Sequence, residues 1–147
     1  MSRENTKIDR TVSAISGDKE GRVWIAVETQ GLFCYEPQKE QLHNYTLNSF
    51  SANVQSVTSD NSGTIWVGFY GSGLFYSKDN LKTLHPYLSP KDGEEVFKDD
   101  VIMKIVPGAY NCIYISSIRK CVQELNLTSG NLRSLLLMDE TGEMVYS

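Results

Sequence analysis

Residues 63–75 read GTIWVGFYGSGLF, and this stretch decides the fold. An apolar run meets a pair of glycines and then becomes apolar again, which predicts a β-strand, a tight turn and a second strand. Residues 21–33 read GRVWIAVETQGLF, the same pattern 42 positions earlier. The chain therefore contains an internal repeat, and the repeat has to be explained before any single residue.

The repeat extends well beyond these two stretches. A shift of 42 residues superimposes two copies without a gap, and identical positions include Asp18 and Asp60, Gly21 and Gly63, Trp24 and Trp66, and Gly31 and Gly73. A further shift of 48 residues gives a third, more divergent copy, with Ile113, Tyr114 and Ile115 in place of Ile65, Trp66 and Val67. In that copy Asn111 replaces Gly63, and asparagine also tolerates a left-handed backbone.

Each copy contains four short strand-like runs, which in the second copy are VQSVTS, TIWVGFY, GLFYSK and TLHPYL. Asp begins and Gly ends the corner between the first two runs, which is typical of a type I turn. Four antiparallel strands recurring every 40–50 residues or so indicate the blades of a β-propeller, where each blade buries its faces against its neighbours. The sequence predicts an all-β fold, a partial β-propeller of about three four-stranded antiparallel blades.

The repeat also predicts how the chain is divided. The three blades are expected at about residues 12–46, 54–88 and 102–136, with residues 137–147 forming a tail or the start of a next blade. Closed propellers contain roughly four to eight blades. Three blades leave two blade surfaces exposed, so we expect either a fragment of a longer protein or a homo-oligomer that associates through those surfaces.

Composition excludes some functions. The chain of 147 residues has a net charge of −4, which argues against a nucleic-acid partner, and it has no apolar stretch of the length that a membrane helix needs. Its N-terminus is polar and does not resemble a secretory signal. Cys34, Cys112 and Cys121 fit no metal motif, and they are expected to be free thiols or to include a Cys112–Cys121 disulfide.

The pattern D-x-x-G-x-[IV]-W-[IV]-[AG], followed by G-L-F, resembles the two-component regulator propeller repeat. The matching residues are Asp18, Gly21, Trp24, Gly31 and Leu32 in the first copy, and Asp60, Gly63, Trp66, Gly68, Gly73 and Leu74 in the second. The resemblance implies a periplasmic sensor region of a hybrid two-component system of the Bacteroidetes type. It further implies that the remaining blades and a histidine kinase region lie elsewhere in the protein, and that the ligand is an oligosaccharide derived from glycan breakdown.

The strand order predicts where a ligand would bind. The corners between second and third strands lie at the same end of the blades as the long connections between blades, and loops on a rigid scaffold often carry binding residues. Aromatic rings and polar groups on these loops would suit a sugar, although the same residues are also ordinary solvated loop positions. The candidate ligand-binding residues are Glu28, Gln30, Phe50, Asn53, Tyr70, Phe97, Arg119 and Lys120.

Other functions have weaker support in the sequence. His43 and His85 are equivalent repeat positions on the last strand, so we expect structural roles for them and no catalytic residues in this chain. No cofactor and no metal are expected, although the carboxylates of Glu94, Glu95, Asp99 and Asp100 crowd one loop, where a cation site is conceivable. The alternative to a sensor is a protein-interaction scaffold without a small-molecule ligand.

Overall fold

Fourteen β-strands and no helix form within the part of the chain that the structure describes. The structure is a computed structural model that describes residues 7–45, 53–138 and 144–146. None of these residues belongs to a helix that would be able to span a bilayer.

Twelve of the strands form three sheets. Blade 1 contains β1 (Val12–Gly17), β2 (Val23–Val27), β3 (Gly31–Glu36) and β4 (Gln41–Asn44). Blade 2 contains β5 (Val54–Ser59), β6 (Ile65–Phe69), β7 (Gly73–Ser77) and β8 (His85–Pro86). Blade 3 contains β9 (Ile102–Pro107), β10 (Cys112–Ser117), β11 (Cys121–Asn126) and β12 (Leu132–Ser134). The strands β13 (Leu136–Met138) and β14 (Met144–Tyr146) pair as a separate antiparallel hairpin.

Each blade is a four-stranded antiparallel sheet in which the strands follow chain order. The first strands of the blades lie beside one another, since β5 contacts both β1 and β9. The last strands, β4, β8 and β12, lie at the outer edges of their sheets. The predicted all-β fold with three four-stranded blades is confirmed.

The corner between the first two strands has the same turn hydrogen bond in blades 1 and 2. The amide of Gly21 donates to the carbonyl of Asp18 over 3.1 Å, and Gly63 donates to Asp60 over the same distance. These glycines have φ values of 83° and 84°, and Asn111 takes the equivalent place in blade 3 with a φ of 57°. Asparagine therefore substitutes for glycine at a left-handed position.

The core is divided between the two blade junctions. The cluster between blades 1 and 2 contains Trp24, Leu32 and Ala26 from the first blade and Val54, Val67 and Phe75 from the second. The cluster between blades 2 and 3 contains Trp66 and Leu74 from the second blade and Ile102, Ile113 and Leu125 from the third. Each tryptophan packs toward the following blade, so each blade completes the core of the one before it.

Candidate functional site

Two of the corners predicted to bind a ligand, after β6 and after β10, meet the segment between blades 2 and 3 at one end of these blades. Tyr70, at the corner after β6, is 58% exposed and forms an isolated antiparallel bridge with Val101. Its backbone amide donates to the carbonyl of the exposed residue Asn53 over 2.9 Å. The equivalent corner residue of blade 3, Ile118, is 61% exposed and donates to the carbonyl of Val101 over 3.2 Å. Two large apolar side chains therefore face solvent at this end.

The segment between blades 2 and 3 lies against both corners, and it corrects one sequence-based expectation. Phe97 is only 3% exposed and belongs to the core between these blades, so its ring is not a free stacking surface. The burial of Phe97 was not predicted because it depends on a tertiary contact, in which the carbonyl of Phe97 closely approaches Gly73, a residue without a Cβ. The exposed residue Lys120 places its ammonium 6.0 Å from the centre of the Phe97 ring.

The carboxylate of Asp100 ties the same segment to the third blade. Asp100 is 1% exposed, and its Oδ1 accepts hydrogen bonds from the amides of Val101 at 2.8 Å and Arg119 at 3.2 Å. Its backbone carbonyl accepts from the amide of Gly73 over 3.1 Å. The side chain of Arg119 remains exposed above this connection. Asp100 therefore holds the corners of blades 2 and 3 in fixed relative positions.

The candidate residues of the first blade lie beside the N-terminal segment. Gln30 accepts a hydrogen bond from the amide of Asp9 and donates to the carbonyl of Lys7, both over 3.0 Å. Glu28 is exposed beside Thr11, whose carbonyl accepts from the Glu28 amide over 2.9 Å. Phe50 lies outside the described residues. The structure thus brings Asn53, Tyr70, Arg119 and Lys120 around residues 97–101, whereas Gln30 holds the N-terminal segment.

The opposite end of the blades carries a hydrogen-bonded pair that sequence reasoning did not identify. In blade 1 the indole of Trp24 donates to Oδ2 of Asp18 over 2.9 Å, and in blade 2 Trp66 donates to Oδ2 of Asp60 over 3.0 Å. The other carboxylate oxygen accepts two backbone amides in each corner. The six-residue spacing between aspartate and tryptophan, present in both copies, was the signal for this pair.

The surroundings of the pair differ between the two blades. In blade 1, Arg22 donates from Nε to Oδ2 of Asp18 over 2.8 Å and lies 5.3 Å from the centre of the Trp24 ring. Burial by itself raises the pKa of Asp18, but hydrogen bonds from Trp24 and Arg22 outweigh burial and hold that pKa below its ordinary value.

In blade 2, Thr64 occupies the position of Arg22. A groove of about 450 Å³ lies there between blades 2 and 3. Its aromatic lining is formed by Trp66, Tyr76, Tyr87 and His85, and its polar lining includes Asp60, Thr64, Lys78 and Asn111. The hydroxyl of Tyr87 is buried and has no hydrogen-bond partner among the described residues, and burial raises the pKa of Tyr87. This groove is a second candidate site.

The third copy replaces the aspartate–tryptophan pair. Gly108 stands at the aspartate position and Tyr114 at the tryptophan position, and a Cβ on Gly108 would lie 2.5 Å from the ring of Tyr114. The tyrosine hydroxyl donates instead to Glu124 over 2.9 Å. The replacement of aspartate by glycine at position 108 and of tryptophan by tyrosine at position 114 are therefore coupled.

The remaining sequence candidates are explained by local contacts. His43 lies 3.5 Å from a carboxylate oxygen of Glu36, and His85 lies 3.2 Å from the hydroxyl of Thr83, both at outer edges of blades. All three cysteines are free. A Cys112–Cys121 disulfide is wrong, because the two residues lie at opposite ends of the β10–β11 hairpin. Among residues 7–45 and 53–138, no three His, Cys, Asp or Glu side chains are placed to hold a metal ion.

Comparison with known proteins supports the fold. No protein-family model matches the chain, and no curated protein matches it. Similar solved structures include extracellular domains of two B. thetaiotaomicron proteins described as hybrid two component systems. The BT4673 domain gives a TM-score of 0.65 at 18% identity, over 96% of this chain and 20% of that one. The BT3049 domain also gives 0.65 at 18% identity, over 97% and 20%.

The fold is shared with proteins of other function. Virginiamycin B lyase from Staphylococcus aureus gives a TM-score of 0.64 at 14% identity, over 99% of this chain and half of the lyase. Structural similarity at 14–18% identity shows that the folds are shared. The predicted resemblance to propeller sensor domains is therefore confirmed at the level of the fold. The chain spans about a fifth of the length of the two B. thetaiotaomicron domains.

Proposed function

We propose that this chain is a run of blades from a larger periplasmic β-propeller, the non-catalytic sensor module of a hybrid two-component system. The observation that carries the proposal is the open face of blade 1. Val12 and Ile15 are 46% and 68% exposed, whereas the equivalent residues of blade 2, Val54 and Val57, are 3% and 4% exposed. The same apolar positions are thus covered wherever a neighbouring blade exists, which is expected of blades in a longer propeller.

The proposed ligand is a glycan-derived oligosaccharide, and its site is the end of blades 2 and 3 where Tyr70 is exposed. Arg119 and Lys120 are exposed beside this corner and offer hydrogen-bond donors. A ligand held there would contact the loops of two blades at once. Binding transmits a signal to a kinase only if the ligand has different affinities for two arrangements of the parent protein. The similarity to extracellular domains of two-component proteins supports this role.

A thermal-shift screen with purified oligosaccharides tests the proposal. A ligand at a hundred times its Kd stabilises the fold by about 2.7 kcal/mol, and this raises the Tm by roughly 5–10 °C for a domain of this size. Tyr70→Asn should abolish the shift. Tyr110→Asn is the matched control, because Tyr110 is 94% exposed but lies in the corner between β9 and β10, at the other end of the blades.

Two outcomes would contradict the assignment. No shift with any oligosaccharide would argue against glycan sensing by these blades and favour the alternative, a scaffold that holds a protein partner through the same loops. A shift that survives Tyr70→Asn but is lost in Tyr110→Asn would place the ligand at the opposite end.

A further inference from the structure

The face of blade 1 that points away from blade 2 is open in its inner part. On β1, Val12 and Ile15 are 46% and 68% exposed, and on β2 Val23 and Ile25 are partly buried. Phe33, on β3, is fully buried. A molecule that docks on this open face therefore has to cover apolar side chains of the innermost strand.

Two contacts recur at both junctions, where the equivalent face is covered. In the first junction the hydroxyl of Ser13 donates to the carbonyl of Val54, the first residue of the next inner strand, over 3.1 Å. In the second junction Ser56 donates to the carbonyl of Ile102 over the same distance. A tryptophan from the second strand of the preceding blade lies in the core of each junction. The equivalent acceptor in blade 1 is the carbonyl of Val12, so a docking blade should bring a serine hydroxyl and an indole to this face.

The face of blade 3 that points away from blade 2, its outward face, has a different character. Tyr114 occupies the position of Trp24, and Glu124 occupies that of Cys34. The tyrosine hydroxyl donates to the carboxylate over 2.9 Å, and Arg133, with its side chain 70% exposed, lies 3.1 Å from the other carboxylate oxygen. Cys34 is 1% exposed in the first junction, so a blade packed in the same way would remove the Glu124 carboxylate from water. Such burial is costly even for a paired charge.

Blade 3 also lacks the hydroxyl donor. Met103 takes the place of Ser13, and Lys104 takes the place of Ser56; both replacements are exposed, and neither carries a hydroxyl. The outward face of blade 3 therefore reproduces neither of the two recurring contacts. A second copy of this chain, docked head to tail, is thus a poor fit to the open face of blade 1.

We propose that the open face of blade 1 docks another blade of this repeat, one that carries a serine on its first strand and a tryptophan on its second. The serine hydroxyl contacts the carbonyl of Val12, and the indole joins the core that covers Ile15. Such a blade belongs to the parent protein and is not a second copy of this chain. This docking rests on the longer propeller proposed above but does not involve the oligosaccharide, so an unsuccessful ligand screen leaves it unchanged.

A chain with one added blade tests the docking. Residues 1–53 are followed directly by residues 12–147, which continues the repeat and places a copy of blade 1 against the open face. In the native chain, Ile15→Lys should change the urea midpoint by less than about 0.2 M, because Ile15 is 68% exposed. In the second copy of the extended chain it should lower the midpoint by about 1 M or more, because the lysine would be buried in a junction. An equally small effect in both chains would overturn the docking and the longer propeller together.

The matched control gives the added blade the outward face of blade 3. Its first copy carries Trp24→Tyr, Cys34→Glu and His43→Arg, which are the residues of blade 3 at these positions. This blade should not dock, so Ile15→Lys in the second copy should be as mild as in the native chain. If the lysine is as harmful here as in the unmodified extended chain, the chemistry proposed for the partner is wrong, whereas the longer propeller stands.

Sedimentation velocity of the native chain distinguishes a second copy from a blade of another sequence. The native chain should form no head-to-tail assembly at high concentration, because the outward face of blade 3 lacks both recurring contacts. Self-association that Ile15→Lys abolishes would place a second copy on the open face of blade 1 and overturn the proposal.

Discussion

The two blade junctions start from the same sequence pattern and solve the same packing problem differently. The first places Ala26 and Val54 in its core, and the second places Gly68 and Ile102 at the equivalent positions. Compared with the first junction, the second thus has one carbon fewer on the second strand of its first blade and one carbon more on the first strand of the following blade. The rim differs more, since Arg22 covers Trp24 in the first junction, whereas in the second Thr64 replaces the arginine and Tyr76, in place of Cys34, lies 5.6 Å from the ring of Trp66.

This difference teaches that a repeat conserves geometry more strictly than it conserves residues. The positions that set the backbone, such as Gly21, Gly63 and Asn111, keep a left-handed φ in all three blades. The positions that fill space can vary, provided that a neighbour varies with them, as Gly108 and Tyr114 do in blade 3. Substituting one member of such a pair should therefore destabilise the fold more than substituting both members together.

Trp66→Ala should have the largest effect. Trp66 is 4% exposed in the core between blades 2 and 3, and loss of a buried aromatic side chain costs about 3–5 kcal/mol. Because small domains have only about 5–15 kcal/mol of stability, the variant should be severely destabilised or unfolded in urea melts followed by circular dichroism. A loss below about 1 kcal/mol would show that the tryptophan does not support the junction.

Gly68→Ala should have the next largest effect and should be partly reversible by a second change. A Cβ at position 68 would clash with Oγ of Ser56 in the same blade and lie 2.5 Å from Cγ2 of Ile102 in the next, so both side chains would have to move, at about 1–3 kcal/mol. Gly68→Ala with Ser56→Ala reproduces the pairing of Ala26 with Ala14 in blade 1, removes the nearest clash and should recover part of that loss. Strict additivity of the two single changes in urea unfolding would contradict the coupling.

Arg22→Thr should lower the free energy of unfolding by about 1–2 kcal/mol at pH 7, because it removes a charge-assisted hydrogen bond to Asp18. The pKa of Asp18 is lowered in the folded state, so its contribution is present above the pKa of the unfolded chain and lost as the pH falls through the folded value. The difference between the native chain and Arg22→Thr should therefore shrink in urea melts at pH 2–3. A difference that stays constant with pH would show that Arg22 acts by packing alone.

The sequence predicts the blades well and the sites poorly, for physical reasons. Strand alternation and the Asp-to-Gly turn are local signals, so the strands around Trp24 and Trp66 and the corners at Gly21 and Gly63 follow from the repeat. Burial of Phe97 depends on how a connection folds back over Gly73, and no local pattern encodes that contact. The groove is lined by Thr64 and Tyr76, which replace Arg22 and Cys34 of blade 1, and these exchanges matter only when two blades face each other.

Cys121→Gly should have the smallest effect, and it should be a gain. Cys121 occupies the place of Gly31 and Gly73 and has a φ of 58°, whereas those glycines have φ values of 101° and 87°. A side chain at a left-handed position is strained, and glycine removes that strain while adding freedom to the unfolded chain. The net stabilisation should be about 0.5–1 kcal/mol in urea unfolding, since the exposed thiol contributes little packing. Cys121→Ala is the control, because it removes the sulfur and keeps the Cβ at a positive φ. If alanine stabilises the chain as much as glycine does, the thiol rather than the backbone is the source of the gain.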